Sequence, residues 1–423
     1  MELAQLLQDQ KAELEESLKG KKIIEREAEK HFKNMLNSRL IKVVSGVRRC
    51  GKSVFIYMLL KGKNFAYMNF DDERLANFDP GQILPSFYEV HGKNFDFIFL
   101  DEIQNLDKWE LLVNHLNRIG FNVLITGSNA KLLSKELASR LTGRHITIEL
   151  LPFSFREYLN AAGFRENLQT TRGISLLKHE LKKYIALGGF PEIIAENEEP
   201  KIYIRELYRK IIERDIVSRY NITYKKTFRD ISITLLSNPG RSISYNKIKN
   251  QFGLGSEHTA KNYLSYLEEA YMIFLLSRFS YRPVEIEKSD KKVYAIDTGL
   301  INSLSFKSTE DYGHVYENMV AIELLRRKSF NPLIELYYWK NIKHEEVDFV
   351  IKEGLKVRQL IQVCYSISDI ETKKRELKGL VGACKELKLK KGIVITEDFE
   401  GREKRKGIEI VYMPLWRWLL RAA

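Results

Sequence analysis

The feature that most constrains the fold of this chain is a short loop, GVRRCGKS at residues 46–53, set between two apolar runs. Its two glycines allow the backbone to curl, so that successive N–H groups point inward at an anion. The run LIKVV before the loop predicts a buried strand, and SVFIYMLL predicts a helix whose positive dipole end faces the same anion. The pattern predicts a phosphate-binding loop formed by Gly46, Val47, Arg48, Arg49, Cys50, Gly51, Lys52 and Ser53.

Three further apolar runs follow the loop and end in polar or glycine residues: FAYMNF, FDFIFLDE and FNVLITGSN. Helical patterns lie between these runs. Strands that alternate with helices form a parallel sheet with helices on both faces, and ligands bind at the carboxyl ends of the strands. The sequence therefore predicts an α/β fold with its site at that edge.

Four residues are expected to carry the chemistry of this site. Lys52 can reach the β- and γ-phosphates of a nucleoside triphosphate, and the Ser53 hydroxyl can ligate Mg²⁺. Asp101 and Glu102 end the run FDFIFLDE. We expect Asp101 to hold the metal through water and Glu102 to orient or deprotonate the attacking water. The expected cofactors are ATP and Mg²⁺.

Polar and basic residues after the next run could complete the site. Asn129 or Ser128 would touch the γ-phosphate or the water, although a helix cap explains either residue equally well. Arg140 and Arg144 suit the stabilisation of transition-state charge, within one chain or across a subunit boundary of a homo-oligomer. The alternative is that both are surface arginines paired with nearby glutamates.

The composition limits the kinds of partner that this protein is expected to bind. The net charge of +13 and the pI near 9.3 favour a polyanion. Cys50, Cys364 and Cys384 lie far apart without a CxxC pair, which excludes a zinc ribbon or disulfide framework and suits the cytoplasm. The chain has no apolar run long enough to span a membrane and no secretory leader, so we expect no membrane partner.

The pattern along the chain predicts five segments. They are a flanking helical segment with a solvated face, an alternating strand–helix core, a helical region, a helix-turn-helix region and a mixed α/β region. Their predicted bounds are 1–39, 40–160, 161–222, 223–295 and 296–423.

The order of motifs over residues 38 to 400 resembles the archaeal and bacterial AAA+/STAND-type P-loop ATPases. The resemblance rests on GVRRCGKS, FIFLDEIQN, ITGSNAKLL, LTGR, LPFSFREYL, GGFPE, RDIVSRY, YAIDTGL, YENMVAIELLRR and EVDFVI. It implies a P-loop AAA+ core with a parallel sheet, a helical lid, a winged helix and a PD-(D/E)xK, restriction-endonuclease-like domain. ATP and magnesium binding, and association with DNA, are also what the resemblance implies.

Three amphipathic patterns at 227–237, 244–251 and 256–270 predict the helices of a helix-turn-helix, with Ser256 as an N-cap. The core face of the third helix would be Ala260, Tyr263, Leu264 and Leu267. Groups suited to DNA would lie on its open face and on the following hairpin: His258, Lys261, Asn262, Ser265, Arg278, Tyr281, Arg282, Lys291 and Lys292. The alternative is a fold that packs only against protein.

The resemblance also implies a second, degenerate metal site in the last segment. Glu317, Asp348 and Gln362 would fill three of its positions, and Cys364 stands where the family has a lysine. A cysteine supplies no positive charge at neutral pH, so Lys340 or Lys356 would have to substitute. An inactive fold kept for structure or DNA binding is the favoured interpretation, and an active nuclease the alternative.

The sequence thus favours an ATPase that couples nucleotide state to DNA binding or remodelling. The alternatives are a slow-turnover, ATP-dependent switch or scaffold and an ATP-regulated, metal-dependent nuclease.

Overall fold

The computed structural model describes residues 3–75, 78–129, 141, 143–196, 198–305, 312–366 and 370–421. The chain forms two compact units. The first comprises Met1–Phe153 with Ala195–Asn197, and the second comprises Ser154–Ile194 with Glu198–Ala423. The predicted boundaries after residues 39, 222 and 295 therefore fall inside units rather than between them.

The first unit is built on a parallel sheet, as predicted. Its strands are β1 (Ile41–Ser45), β2 (Phe65–Asn69), β3 (Phe97–Asp101), β4 (Asn122–Gly127) and β5 (His145–Glu149). They lie in the order β2-β3-β4-β1-β5, and each neighbouring pair is parallel. Every residue of β1 and β3 is buried, which explains why these strands are continuous apolar runs.

Helices cover this sheet. They are α1 (Leu3–Leu18), α2 (Ala28–Lys33), α3 (Lys52–Leu60), α4 (Ile83–His91) and α5 (Trp109–Arg118), with 3₁₀ turns at Glu73–Leu75, Pro80–Gln82 and Ile103–Asn105. Helix α1 buries Leu6 and Leu7 in the core of the sheet. The segment 1–39 is therefore part of the first unit, because the apolar face of α1 completes its core.

The second unit begins with helices. They are α6 (Phe155–Ala161), α7 (Thr171–Leu187), α8 (Pro191–Ala195) and α9 (Pro200–Lys210), which continues as a π-helical stretch at Ile211–Ser218. Next come α10 (Lys225–Leu236), α11 (Tyr245–Phe252), α12 (Glu257–Glu269), α13 (Pro283–Lys288), α14 (Thr298–Leu304), α15 (Tyr312–Phe330), α16 (Ile370–Glu386) and α17 (Leu415–Leu420).

The strands of the second unit form one mixed sheet in the order β13-β14-β12-β11-β10-β9-β7-β8-β6. Their bounds are β6 (Ser242–Ile243), β7 (Ile273–Arg278), β8 (Lys291–Ala295), β9 (Ile334–Lys340), β10 (Glu346–Glu353), β11 (Lys356–Val363), β12 (Lys391–Thr396), β13 (Gly401–Arg405) and β14 (Ile408–Pro414). Neighbours along a strand contribute to different cores: Phe349 and Ile361 pack with one cluster, Val350 and Leu360 with another. Both faces of this sheet are therefore buried.

The three helices predicted between 227 and 270 are present as α10, α11 and α12. The Ser256 hydroxyl caps α12 by accepting a hydrogen bond from the N–H of Thr259 at 3.1 Å. The predicted core face of α12 is buried, namely Ala260, Tyr263, Leu264 and Leu267.

The mixed sheet of the second unit crosses the predicted boundary at residue 295. The hairpin strand β7 pairs in parallel with β9, with Ser277 opposite Tyr337 and Arg278 opposite Tyr338. This pairing covers an edge of the hairpin that would otherwise expose backbone donors and acceptors. Within the described part of the chain, no helix has both the length and the apolar character that a bilayer crossing needs.

Candidate nucleotide site and acidic pocket

The loop of residues 46–53 joins the carboxyl end of β1 to helix α3 and has the geometry of a tight anion cradle. Gly46 and Gly51 have φ angles of 150° and 89°. A Cβ on Gly46 would lie 2.0 Å from the carbonyl oxygen of Leu150. Only glycine tolerates an approach this close, so the first glycine of the loop is required by packing as well as by backbone angle.

A buried arginine outside the motif, Arg26, holds the loop by hydrogen bonds. Arg26 donates to the carbonyl oxygen of Cys50 at 2.8 Å and to that of Leu151 at 2.6 Å. Its guanidinium lies over the ring of Phe153, 5.0 Å from the ring centre. Sequence reasoning missed Arg26, since only the fold brings residue 26 to the loop.

Lys52 is buried and directed back over its own loop. Its Nζ donates to the carbonyl oxygens of Gly46 and Val47, both at 3.3 Å, and lies 3.4 Å from Glu102 Oε1. Burial opposes the charged form, yet the attraction of Glu102 and Asp101 outweighs it and raises the pKa of Lys52. The ammonium is therefore charged and held between the loop carbonyls and Glu102.

Asp101 ends β3 beside hydroxyl groups from three other elements. Thr126 donates to Oδ1, Tyr67 donates to Oδ2 at 3.3 Å, and the Ser53 side chain is also hydrogen-bonded to this carboxyl. Burial, with the neighbouring charge of Glu102, raises the pKa of Asp101 to about 6. A serine hydroxyl touching a carboxylate offers the oxygen ligands that Mg²⁺ prefers, so these residues fit the expected metal.

Glu102 lies in the left-handed region with φ 50° and is held by residues near the end of β4. Its N–H donates to Thr126 Oγ1 at 2.9 Å, and Ser128 donates to Oε2 at 3.0 Å. Gln104 donates to the same oxygen at 2.6 Å. Burial favours the neutral acid, but Lys52 and these hydrogen bonds hold the pKa of Glu102 below its ordinary value.

Sheet order explains why these side chains meet. Strand β4 lies between β1 and β3, so its carboxyl end separates the loop from the acidic pair. Ser128 contacts Glu102, and Asn129 is buried beside it in sequence. The sequence analysis did not identify Thr126 or Gln104 as site residues. Thr126 lies at the end of an apolar run, and Gln104 is recognised only by its contact with Glu102.

The arginines predicted near the phosphates have different surroundings. Arg48 pairs with Asp71 at 3.1 Å, and Arg49 is exposed with φ 63°. Arg140 lies outside the described residues. Arg144 is described and exposed.

The backbone of Arg144 lies beside the amino end of β1, whereas the loop follows the carboxyl end of that strand. The Arg144 carbonyl oxygen accepts a hydrogen bond from the N–H of Ile41, the first residue of β1, at 2.9 Å. The loop follows the last residue of that strand, about 13 Å away at ~3.3 Å per residue. A role for Arg144 at its own loop would have to bridge this separation, whereas a role on a neighbouring subunit, or as a surface arginine, would not.

The groups predicted to face DNA divide into exposed and buried residues. His258, Lys261, Arg278, Tyr281 and Arg282 are exposed. Asn262 is half-buried, and its amide lies 3.3 Å from His258 Nδ1. The guanidinium of Arg282 pairs with Glu285 at 3.1 Å. Ser265 donates to Glu269 at 3.0 Å.

Two hairpin lysines are not available to DNA as predicted. Lys291 is half-buried and donates to the carbonyl oxygen of Ile286 at 2.6 Å. Lys292 is 3% exposed, because its side chain enters the interior of the second unit. It lines a cavity of about 580 Å³ together with Glu317, Asp348 and Gln362.

This cavity is the region predicted as a degenerate metal site. The lysine that lies among its carboxylates is Lys292, rather than Lys340 or Lys356. The Nζ lies 2.9 Å from Glu317 and 2.9 Å from Asp348. Lys340 instead contacts Glu346 at 3.1 Å. Lys356 is exposed at the start of β11, beyond the hairpin turn, so it cannot substitute.

Three further observations describe the groups around this cavity. Cys364 lines the cavity, its thiol contacts the carbonyl oxygen of Ser366, and burial raises its pKa to about 11. Burial and the charge of Glu317 raise the pKa of Asp348 to about 7. Among the residues described, no three His, Cys, Asp or Glu side chains are grouped to hold a metal ion.

The chain is similar to known families and proteins along most of its length. Residues 38–159 match the AAA domain, 178–311 match a domain of unknown function (DUF8612), and 312–416 match another (DUF4143). An uncharacterized protein of Methanocaldococcus jannaschii is 40% identical over 406 residues, covering 90% of this chain and 88% of the relative. An uncharacterized protein of Haemophilus influenzae is 29% identical over 394 residues, covering 89% and 94%.

The solved structures that match this chain have lower identity and low TM-scores. A Walker-type ATPase of Pyrococcus abyssi has a TM-score of 0.42 and 14% identity, covering 67% of this chain and 96% of that chain. The Cdc6p protein of Pyrobaculum aerophilum has a TM-score of 0.23 and 13% identity, covering 65% and 90%.

Proposed function

This chain belongs to the same family as the Methanocaldococcus jannaschii relative and carries an AAA domain, and we propose that it binds and hydrolyses ATP with Mg²⁺. One observation carries the proposal. Lys52, Ser53, Asp101 and Glu102 meet at the carboxyl edge of one parallel sheet, beside a loop that turns at two glycines with positive φ. Cytoplasmic residence is proposed with it, because all three cysteines are free and buried.

In the proposed reaction, the loop N–H groups and Lys52 hold the β- and γ-phosphates. Lys52 leaves the carbonyl oxygens of Gly46 and Val47 for the phosphates, which offer it a full negative charge. Ser53 and Asp101 would hold Mg²⁺, which would supply positive charge to neutralise the phosphate oxygens.

Glu102 is proposed as the base that orients and deprotonates the attacking water. In the structure its Oε1 pairs with Lys52 while Oε2 accepts from Ser128 and Gln104. Withdrawal of Lys52 to the phosphates frees Oε1 for water and removes a charge that lowers the pKa of Glu102. ATP binding would thus make Glu102 available as the base. Asn129, buried after Ser128, is proposed to contact the γ-phosphate.

The test of this assignment is Glu102→Gln. We expect turnover to fall about 10²–10⁴-fold, the usual contribution of a general base, while ATP still binds. Glu89→Gln, at an exposed position on α4, is the control and should turn over like wild type. Unchanged turnover in Glu102→Gln would remove Glu102 from the mechanism. Tight binding with negligible turnover in wild type would instead indicate the slow switch.

For Arg144 the proposal is action on the nucleotide of a neighbouring subunit, because its backbone lies at the opposite end of β1 from its own loop. The test mixes two inactive proteins. Arg144→Ala retains an intact loop, and Lys52→Ala retains the arginine, so mixed assemblies should recover turnover. A mixture as inactive as its components would contradict the proposal.

We further propose that the second unit binds duplex DNA mainly through its phosphates. Helix α12 and the β7–β8 hairpin expose His258, Lys261, Arg278 and Arg282, and the chain carries a net charge of +13. Half-buried Asn262 and exposed Tyr281 are the candidates for limited base contact.

Fluorescence anisotropy with a labelled duplex at several salt concentrations tests this. Lys261→Ala with Arg278→Ala should weaken binding and flatten the salt dependence by about one unit of slope for each phosphate that is no longer neutralised. The control pair, Lys385→Ala with Lys390→Ala, removes two exposed lysines from another part of the same unit. Equal effects of both pairs would contradict a defined DNA-binding face.

A further inference from the structure

The cavity of the second unit is organised around one ammonium group. Lys292 Nζ lies 2.9 Å from Glu317 Oε1, 2.8 Å from Glu346 Oε1 and 2.9 Å from Asp348 Oδ1. The three carboxylates come from α15 and β10, and the lysine comes from β8. An ammonium has three N–H donors, so each donor of Lys292 has a carboxylate acceptor.

The surrounding groups also favour hydrogen bonds over metal coordination. Tyr294 donates to Glu317 Oε1 at 2.7 Å, and the N–H of Val363 donates to Asp348 Oδ2 at 2.9 Å. Lys340 lies 3.1 Å from the second oxygen of Glu346. N–H and O–H donors of the chain itself therefore already contact each of the three carboxylates.

Gln362 presents the wrong atom for a metal. Its Nε2 donates to Asp348 Oδ2 at 2.8 Å and to Glu376 at 2.6 Å. Its Oε1, the only atom of the amide that could bind a cation, accepts from the N–H of Asp348 at 3.2 Å. A carboxylate at this position could not donate, so the amide suits a site without a metal.

Local backbone geometry supports the arrangement. The pairing of β10 with β9 shifts register between Val347 and Val350, which is a β-bulge beside Asp348. Bulges redirect side chains next to functional sites. Gly240, with φ 74°, forms the wall behind Glu317, where a Cβ would lie 2.8 Å from Oε2.

We propose that the Lys292 ammonium is the resident cation of this cavity, in the place where the nuclease-like interpretation puts a divalent metal. The cavity is accordingly a metal-independent carboxylate site. Lys292 neutralises the carboxylates from within the chain and ties the β7–β8 hairpin to α15 and β10. A metal-dependent nuclease centred on Glu317, Asp348 and Gln362 does not fit this donor set.

The test measures Mn²⁺ binding to the nucleotide-free full chain by electron paramagnetic resonance. Ser53→Ala is the parent protein, so that the proposed metal ligand of the loop is absent. We expect the parent and its Asp348→Asn derivative to bind Mn²⁺ equally. Adding Lys292→Met to the parent removes the ammonium at similar volume and should create an Mn²⁺ site that Asp348→Asn abolishes.

Thermal unfolding gives a second readout. The Lys292→Met protein should unfold at a lower temperature than the parent in EDTA and recover part of the difference in Mn²⁺. Lys340→Met is the matched control, because the ion pair of Lys340 is with the outer oxygen of Glu346. It should acquire no Mn²⁺ site.

Two outcomes would overturn the inference. The first is an Mn²⁺ site in the parent that Asp348→Asn removes. The second is a folded Lys292→Met protein that gains no site. Where Lys292→Met does not fold, the comparison of the parent with Asp348→Asn decides the question without it.

Discussion

At the scale of single residues, both the packing of the loop and its proposed binding of phosphate depend on Gly46 having no Cβ atom. Gly46→Ala would place a methyl group 2.0 Å from the carbonyl oxygen of Leu150. We expect loss of ATP binding and a destabilisation of a few kcal/mol, typical of strain at a special backbone position. Gly62→Ala, at φ 79° with open space around it, is the matched control. ATP affinity and unfolding in denaturant measure both effects.

Arg26 should position the loop without touching nucleotide. Arg26→Met removes two charge-assisted hydrogen bonds, each worth about 1.5–3 kcal/mol in similar settings. We expect at least a tenfold rise in the KM for ATP with a smaller change in kcat. Arg26→Lys should restore little, because one ammonium lacks the fork that serves two separate carbonyls. An unchanged KM in a folded Arg26→Met protein would contradict a positioning role.

The sequence was informative where chemistry is local. Lys52 and Ser53 are consecutive, and Asp101 and Glu102 share one strand end, so their roles could be hypothesised from a motif. Arg26 and Lys292 could not, because their partners come from distant segments. Lys292 in particular has the appearance of an exposed hairpin lysine until the fold shows its carboxylate partners.

At the scale of elements, helix α12 contains a half-buried acid that predicts a pH effect. Glu268 accepts a hydrogen bond from the N–H of Leu275 at 2.9 Å, and burial raises its pKa from 4.5 to about 7. Glu269, Lys291 and Lys328 also act on it. The folded carboxyl holds its proton to higher pH than the unfolded one, so stability falls as pH rises from about 4.5 to 7.

The Glu268→Gln variant should not lose stability over this pH range, because its amide does not titrate. We expect the unfolding temperature of wild type to decrease relative to that of the variant between pH 5 and 7, and then to stay level. Thermal melts over that range measure it, with Glu257→Gln at the exposed start of the same helix as the control for surface charge. Parallel curves for wild type and Glu268→Gln would contradict the assignment.

Elements with strong periodicity were predictable, and their long-range pairing was not. The apolar face of α12 and the Ser256 cap follow from spacing and residue type. By contrast, the pairing of β7 with β9 joins segments separated by a long helix, and side-chain alternation specifies no partner strand. This is why the sequence pattern could place helices and strands in order but could not show that one sheet continues across residue 295.

At the scale of the whole molecule, shared pairing predicts which fragments fold. Residues 223–295 alone would lack the β9 partner of β7 and the carboxylates that surround Lys292. We expect this fragment to be unfolded, whereas 154–423 should unfold cooperatively. Circular dichroism with thermal melts distinguishes them, and a cooperative transition in 223–295 would contradict the single-unit description.

ATP turnover that depends on the loop and responds to DNA is the central proposal for this protein. The most direct test measures phosphate release by wild type and Lys52→Ala, with and without duplex DNA at constant salt. We predict turnover that Lys52→Ala abolishes and that the duplex increases in wild type. Turnover that survives in Lys52→Ala would contradict the nucleotide site, and a Lys52-dependent rate unchanged by duplex would contradict the coupling.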